Sequence, residues 1–283
     1  MKNEREVPLL SILIPAYCYP KGVIRILEKV VHVDERELDI LIFDDSPDDS
    51  VKETLVERGY INRVQYKKNE KSSGAIGNWN SLLERSKTDY RMLIHHDEFF
   101  EKKTDIEDLI HYLKKNETTK VFLLNCLLNT KVHFIGRLHF SLKISKLILG
   151  KLPEYLFKRN FIGPTACLVI SKEVDLRFDE KLKWLVDVDF YYRVFQKIGK
   201  DFIKFLPIFM RSEGRRDESI SSSIKHEVEM IRKREIDYLS TKYSKKIIWL
   251  NEENNIKRLI EIFVWACLKL YSYVFRLKTL KVR

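Results

Sequence analysis

Residues 95–98 read His95-His96-Asp97-Glu98, set between the apolar run 92–94 and the pair Phe99-Phe100. Two imidazoles and two carboxylates in four positions can hold a divalent cation, move a proton, or mark the charged end of a strand. A second acidic group, Asp44-Asp45-Ser46, closes another apolar run, and Ala16-Tyr17 closes a third. Carboxylates cannot hold a diphosphate directly, because like charges repel. They can hold magnesium or manganese, which bridges to phosphate oxygens. A zinc site on both histidines is the lesser reading, because neighbours on a strand point to opposite faces.

The elements that must position these groups alternate in type. Residues 9–17 are continuously apolar and read as a strand buried on both faces. Residues 21–33 carry Val23, Ile26, Leu27 and Val30 at helical spacing. A second buried strand, 38–50, runs into the acidic turn. A helix follows over 50–59, with Ser50 as N-cap and Gly59 as C-cap. A short strand at 62–69 and a helix opening at 77 lead to the strand 90–100, whose end carries the four polar residues. Residues 101–119 read as a helix and 120–129 as a strand. The stretch 131–160 is irregular, basic and aromatic. A strand within 161–174, a helix within 176–199 and a last strand at 202–211 complete the pattern. This alternation predicts an α/β fold with a mostly parallel sheet, whose ligands bind at the carboxyl ends of the strands. The three polar clusters all lie at such ends.

Composition sets bounds. The chain has 283 residues, 45% hydrophobic and 33% charged, enough to bury a core in one large domain with an appendage. The net charge of +11 fits a nucleic acid, an anionic membrane surface or a polyanionic substrate. No recognition module for nucleic acid stands out, so that partner is not expected. Four cysteines lie far apart without a C-x-x-C, which predicts reduced, buried thiols in a cytoplasmic protein. No signal peptide and no plain membrane span is expected. The turn "PAYCYPKG" has no glycine-rich dinucleotide fingerprint, and neither a P-loop nor a G-x-S-x-G elbow occurs.

Taken together, "SILIPAY", "LIFDDSPDDS", "GNWNSLLERSKTDYRMLIHHDE" and "NFIGPTACLVISKEVDLRFDEKLKWLVDVDFYYRVFQKIG" resemble the family 2 glycosyltransferases of the GT-A fold, in a variant associated with bacterial surface polysaccharides. The resemblance covers roughly residues 8–222. It implies a GT-A domain over 1–225, with a nucleotide-binding half (1–100) and an acceptor half (101–225). Donor-binding positions follow from it: Pro15, Ala16 and Tyr17 after the first strand, then Asp44, Asp45 and Ser46 for base and ribose. Asn78 and Asn80 would flank the nucleotide or brace its loop, and His96 and Arg211 complete the donor set. Asp97 takes the place of the metal-binding acid, with Glu213 as a further metal residue and Glu98 in support. His95 stands where the first acid of the family motif usually sits. Asp187 aligns with the family's general base, although Val186 replaces the neighbouring Glu; Asp189 is the weaker candidate. Arg211, Arg215 and Arg216 could close over the diphosphate.

The implied activity is a manganese- or magnesium-dependent, inverting transfer of a sugar from a nucleoside-diphosphate donor to a growing surface glycan or lipid-linked oligosaccharide. A chain that keeps the fold and binds nucleotide sugar without turnover is the alternative, motivated by His95 and Val186. Residues 226–283 read as a helical, basic tail. Within it, 254–283 carries an apolar stripe flanked by Lys and Arg, as in a helix lying on the inner face of a membrane. Packing on the domain or on a second copy in a homodimer is the other reading.

Overall fold

The computed structural model describes residues 7–129, 134–137, 149–150, 153–213 and 227–244, with 262 and 266 as isolated positions. Among them are nine strands and seven α-helices. In chain order these are β1 (Leu10–Ala16), α1 (Pro20–Val30), β2 (Leu38–Asp44), α2 (Ser50–Glu57), β3 (Gln65–Lys68), α3 (Gly74–Arg85), β4 (Tyr90–Leu93) and β5 (Glu98–Phe100). Then come α4 (Thr104–Lys115), β6 (Val121–Asn129), β7 (Phe134–Arg137), α5 (Tyr155–Lys158), β8 (Leu168–Ser171), α6 (Val186–Ile198), β9 (Ile203–Ser212) and α7 (Val228–Lys242).

The strands form one sheet in the order β3-β2-β1-β4-β8-β6-β9-β5, with β7 on β6. The expected parallel arrangement holds across β3-β2-β1-β4. Beyond β4 the sheet is mixed: β8 runs antiparallel to both β4 and β6, β9 is parallel to β6, and β5 is antiparallel to β9. The period of two in β1 divides the core. Leu10, Ile12 and Ile14 pack with Val23, Ile26 and Leu27 of α1 and Leu109 of α4. Leu13, with Leu41 and Phe43 of β2, packs on the opposite face with Leu82 of α3 and Tyr191 and Val194 of α6. Helices on both faces explain why the first strands are apolar without alternation.

Several boundaries differ from expectation. The predicted strand 90–100 is two strands, β4 and β5, joined by a turn in which the Glu98 N–H donates to the His95 carbonyl at 2.9 Å. β5 leaves β4 and pairs with β9, so the polar residues at 95–97 sit in the turn between them. Ser50 is the first helical residue of α2, not its cap; Asp49 holds that place. The other end is as expected: Gly59 has φ +71°, and the N–H groups of Gly59 and Tyr60 bond back to Val56 and Leu55. Cys126 and Cys167 are buried as expected, whereas Cys18 is exposed in the turn after β1, at φ +47°.

The first helix of the region expected as a tail from 226, α7, packs on the domain. Ile236 and Leu239 of α7 join the core that holds α6. Asp189 of α6 accepts hydrogen bonds from Tyr243 at 2.5 Å and from Lys242 at 3.2 Å. No helix among the described residues is long and apolar enough to cross a membrane. The expectations for Arg215, Arg216 and the stripe 254–283 fall outside the described residues, apart from the isolated position 262, which is exposed, and 266.

Candidate active site

The carboxyl ends of β1 and β2 lie side by side, with Ala16 opposite Asp44. Asp44 is wholly buried. It accepts from the Ser46 N–H (2.9 Å), the Ser46 hydroxyl (2.5 Å) and the Tyr66 hydroxyl (2.8 Å). Ser46 in turn accepts from the Cys18 N–H at 2.8 Å. Asp44 and Ser46 therefore lock the β1 and β2 turns together. Pro15 and Ala16 are buried at the end of β1, and Tyr17, 55% exposed, is the side chain of this group presented to solvent.

Asp45 faces the start of α3. It accepts from Asn69 (2.9 Å), the Ser72 hydroxyl (2.6 Å) and the N–H groups of Ser73 and Gly74 (3.1 Å each). Burial pushes its carboxyl up, but the bonds from Ser72, Asn69, Ser73 and Gly74 outweigh this and hold it below the ordinary Asp value. This carboxylate caps α3 from a distant strand, which is why the helix begins at Gly74 and not at 77.

Asn78 and Asn80 are consequently helical and buried, Asn78 bracing the end of β2 and Asn80 the backbone at Phe178. The Asn78 amide donates to the Phe43 carbonyl at 3.0 Å. Asn80 accepts from the Phe178 N–H at 2.7 Å and donates to the Phe178 carbonyl at 3.1 Å. Asn80→Ala is expected to destabilise the protein by about 1–3 kcal/mol for each Phe178 group left unpaired. Urea denaturation checks this; a change within error would mean that Phe178 finds other partners.

The turn after β4 carries the cluster. Ligand atoms of His95, Asp97 and Glu98 all lie within 4.8 Å of one another. The His95 ring lies tilted on Trp79, centroids 4.6 Å apart, with Nε2 3.5 Å from the Thr165 hydroxyl and Nδ1 3.9 Å from Glu98. Burial lowers the His95 pKa to about 4, against the opposing pull of Asp97 and with His96 adding to the fall. The imidazole is thus neutral at neutral pH, the form that ligates metals. Burial pushes the Glu98 carboxyl well up, and the like charge of Asp97 adds to it. A bound cation would offset both effects. The donor set, one imidazole and two carboxylates, fits manganese or a similar divalent ion.

His96 turns the other way, its ring edge-on to Tyr19 at 5.5 Å, and is not among the clustered ligands. Its carbonyl closes on Gly22 of α1, where an added Cβ would lie 2.0 Å from that oxygen. Gly22→Ala must push α1 away from the turn. The expected result is a loss of about 1–3 kcal/mol together with weaker manganese binding, read by denaturation and calorimetry. Unchanged values for both would show that the turn tolerates the displacement.

Two residues expected at the donor phosphates or the metal have other partners. The Glu213 carboxylate pairs with Arg25, and only its N–H reaches the turn, at 3.0 Å from the Asp97 carbonyl. The Arg211 guanidinium makes a two-pronged pair with Glu101. Both pairings join segments far apart in sequence.

Asp187 sits in the first turn of α6, half-buried. It accepts from the Val188 N–H and from the Asn160 amide, each at 2.8 Å. Asn160 also bonds to both the N–H and the carbonyl of Gly163, at 2.9 Å each. Two residues further, Thr165 meets His95. The segment 160–165 thus links the Asp187 carboxylate to the His95 cluster. Tyr191 lies beside this link and donates to the Gly163 carbonyl at 3.1 Å. Burial raises its hydroxyl pKa, and the nearby charges of Asp187 and Glu98 add to the rise. Asp189, by contrast, is wholly buried and held by Arg193 as well as by Lys242 and Tyr243. Trp79, Asn160, Thr165 and Tyr191 were not singled out from the sequence; only Trp79, between the two asparagines, carried a local signal.

An α/β sheet with acidic turns gathered at the carboxyl ends of β2 and β4 is the arrangement of a GT-A glycosyltransferase, and solved structures match it. Staphylococcus aureus TarS 1–349 in complex with UDP-GlcNAc is 17% identical, with TM-score 0.54, over 76% of this chain and 61% of that one. Mycobacterium tuberculosis glucosyl-3-phosphoglycerate synthase, in complex with Mn2+, UDP and glucosyl-3-phosphoglycerate, is 14% identical, with TM-score 0.53, over 83% of this chain and 79% of that one. Pyrobaculum calidifontis mannosyltransferase PcManGT, in complex with GDP-Man and Mn2+, is 10% identical, with TM-score 0.51, over 75% and 58%. At these identities the likeness is one of fold. A search of curated proteins by sequence gives no match. The profile of glycosyl transferase family 2 matches residues 11–175, more than half of the chain, and the chain belongs to that family.

Proposed function

We propose that this chain is a metal-dependent, inverting glycosyltransferase that moves a sugar from a nucleoside diphosphate to a hydroxyl of a surface glycan or lipid-linked oligosaccharide. The observation that carries this reading is the pairing of two sites through one segment. The cluster of His95, Asp97 and Glu98 follows β4, which β1 separates in the sheet from β2 and its Asp45 turn, and Asp187 is joined to it by 160–165.

In this reading His95, Asp97 and Glu98 hold the cation. When bound, a divalent ion supplies positive charge to the diphosphate as it leaves. Tyr17, exposed at the end of β1, offers an open face for the nucleotide base. Asp187 takes the proton of the acceptor hydroxyl while that oxygen bonds to the anomeric carbon. The bond from that carbon to the diphosphate breaks, and the nucleoside diphosphate leaves with the bonding pair. A single displacement of this kind inverts the anomeric centre. The membrane-facing part of the proposal, at the inner face of the cell membrane, rests on the sequence of 254–283.

A thermal-shift screen of the purified chain against UDP-, GDP-, CMP- and dTDP-sugars, with and without manganese, tests the reading. One nucleotide is expected to raise Tm only when manganese is present. No shift with any nucleotide would overturn the proposal. A shift without any turnover, given manganese and an acceptor, would favour a nucleotide-sugar-binding protein that has lost catalysis.

A further inference from the structure

α6 has no cap of its own. Leu185 stands at its N-cap position and offers no side-chain hydrogen bond. The first N–H groups of a helix have no partner inside it, and an uncapped end frays. Here a side chain of α7 holds the three residues that lead into α6, of which Leu185, at the N-cap, is the one that belongs to the helix end. Glu235, 6% exposed, reaches across with both carboxylate oxygens. Oε1 accepts from the Lys183 N–H at 2.5 Å and the Trp184 N–H at 3.1 Å, while Oε2 accepts from Trp184 at 3.1 Å and Leu185 at 2.8 Å. Three successive N–H groups curl around one carboxylate, an anion nest filled by a side chain. Charge-assisted bonds of this kind are short and directional, and a negative charge suits the positive end of the helix.

The nest ends two residues before Asp187. Its geometry sets where α6 begins, and hence where the first-turn carboxylate stands relative to Asn160 and the 160–165 segment. Three further ties hold α7 in place: Lys242 and Tyr243 on Asp189, and Tyr238 on Asp179 at 2.9 Å. Asp179 follows Phe178, which Asn80 grips from α3. Glu235 is therefore seated in a frame tied to α6 and, through 178–179, to α3. α7 lies wholly outside the segment 11–175 that defines the family.

We propose that Glu235 is a positioning residue for Asp187: its carboxylate, docked in the 183–185 nest, fixes the first turn of α6 so that the Asp187 carboxylate faces the acceptor. The proposal rests on the reading of Asp187 as the base. It assigns to α7 a part in catalysis that no contact with substrate would reveal.

The test uses the full chain with manganese and a panel of UDP-glucose, UDP-GlcNAc, GDP-mannose and dTDP-glucose, with water as acceptor and nucleotide release as the signal. Glu235→Gln, which keeps the shape but loses the charge and one acceptor oxygen, is compared with Glu235→Asp and Tyr238→Phe. Tyr238→Phe loosens α7 without touching the nest, and so reports what simple loss of stability does. Expected is a fall in kcat of about tenfold or more for Glu235→Gln, with nucleotide Kd unchanged within about twofold, and partial recovery in Glu235→Asp. Tyr238→Phe should lower Tm and leave kcat near normal. In an Asp187→Asn background, Glu235→Gln should cause no further fall, because both act on one step.

A folded Glu235→Gln with normal kcat, or an equal loss in both backgrounds, overturns the positioning role while leaving the base reading intact. Should Glu235→Gln not fold, Glu235→Asp carries the same comparison. A fully active Asp187→Asn, or no release from any donor by the unaltered chain, takes down the base reading itself.

Discussion

Asp187→Asn is expected to lower the rate of transfer by about 10²–10⁴-fold while leaving nucleotide affinity within about twofold. The amide is nearly isosteric with the carboxylate. Its one oxygen can still accept from the Val188 N–H, while its NH2 group faces the Asn160 amide, so one of the two 2.8 Å bonds is kept and the other is lost. What it cannot do is take a proton. Asp189 offers no substitute: it is wholly buried, and Arg193, Lys242 and Tyr243 occupy its oxygens. Steady-state kinetics with the donor found in the screen, alongside calorimetric binding of its nucleotide, separate the two effects. A variant that turns over at the normal rate would remove Asp187 from the mechanism. A variant that loses nucleotide affinity as well would mean that the carboxylate acts on the donor side.

Asp97→Asn should weaken manganese binding by about 100-fold or more, since altering even a supporting partner of a metal ligand commonly lowers affinity 10–100-fold. The reason lies in the cluster. Glu98 is 3% exposed, and burial holds its carboxyl well above the ordinary range. His95 is neutral. Asp97 is the more exposed of the two carboxylates in the cluster. Its removal leaves one imidazole and one buried carboxyl, whose burial opposes the charged form. Titration of manganese into the purified chain, read by calorimetry, gives the affinity without any need for substrate. An unchanged affinity would place the ion elsewhere. Retained affinity with lost nucleotide stabilisation would mean that Asp97 meets the donor and not the metal.

Much of the frame was legible in the chain itself. The apolar runs at β1, β2 and β4 and the helices between them follow from local composition, because strands covered by helices on both faces need no polar alternation. The polar clusters at Ala16-Tyr17, 44–46 and 95–98 were legible as strand ends for the same reason. Family motifs pointed to Asp97 and Asp187. The antiparallel half of the sheet was harder to read. A strand such as β8 is equally apolar whichever way it runs, so direction leaves little mark on sequence.

What the sequence determined by itself is the set of chemical groups and the order of elements that carry them, since propensity and hydrophobic period act over a few neighbouring residues. Which groups face one another was decided by the tertiary structure. The turn at 95–97 forms because β5 leaves β4 for β9, and this brings His95 beside Asp97 and Glu98 while turning His96 toward Tyr19. Arg211 and Glu213 meet Glu101 and Arg25 through contacts that no local spacing announces. Carboxylates remote in sequence hold the starts of two helices near the site: Asp45 takes the first N–H of α3, and Glu235 takes the residues that lead into α6. A helix end needs partners for its first N–H groups, but it is indifferent to where in the chain those partners come from. That indifference is why the site's geometry could be seen only in the folded chain.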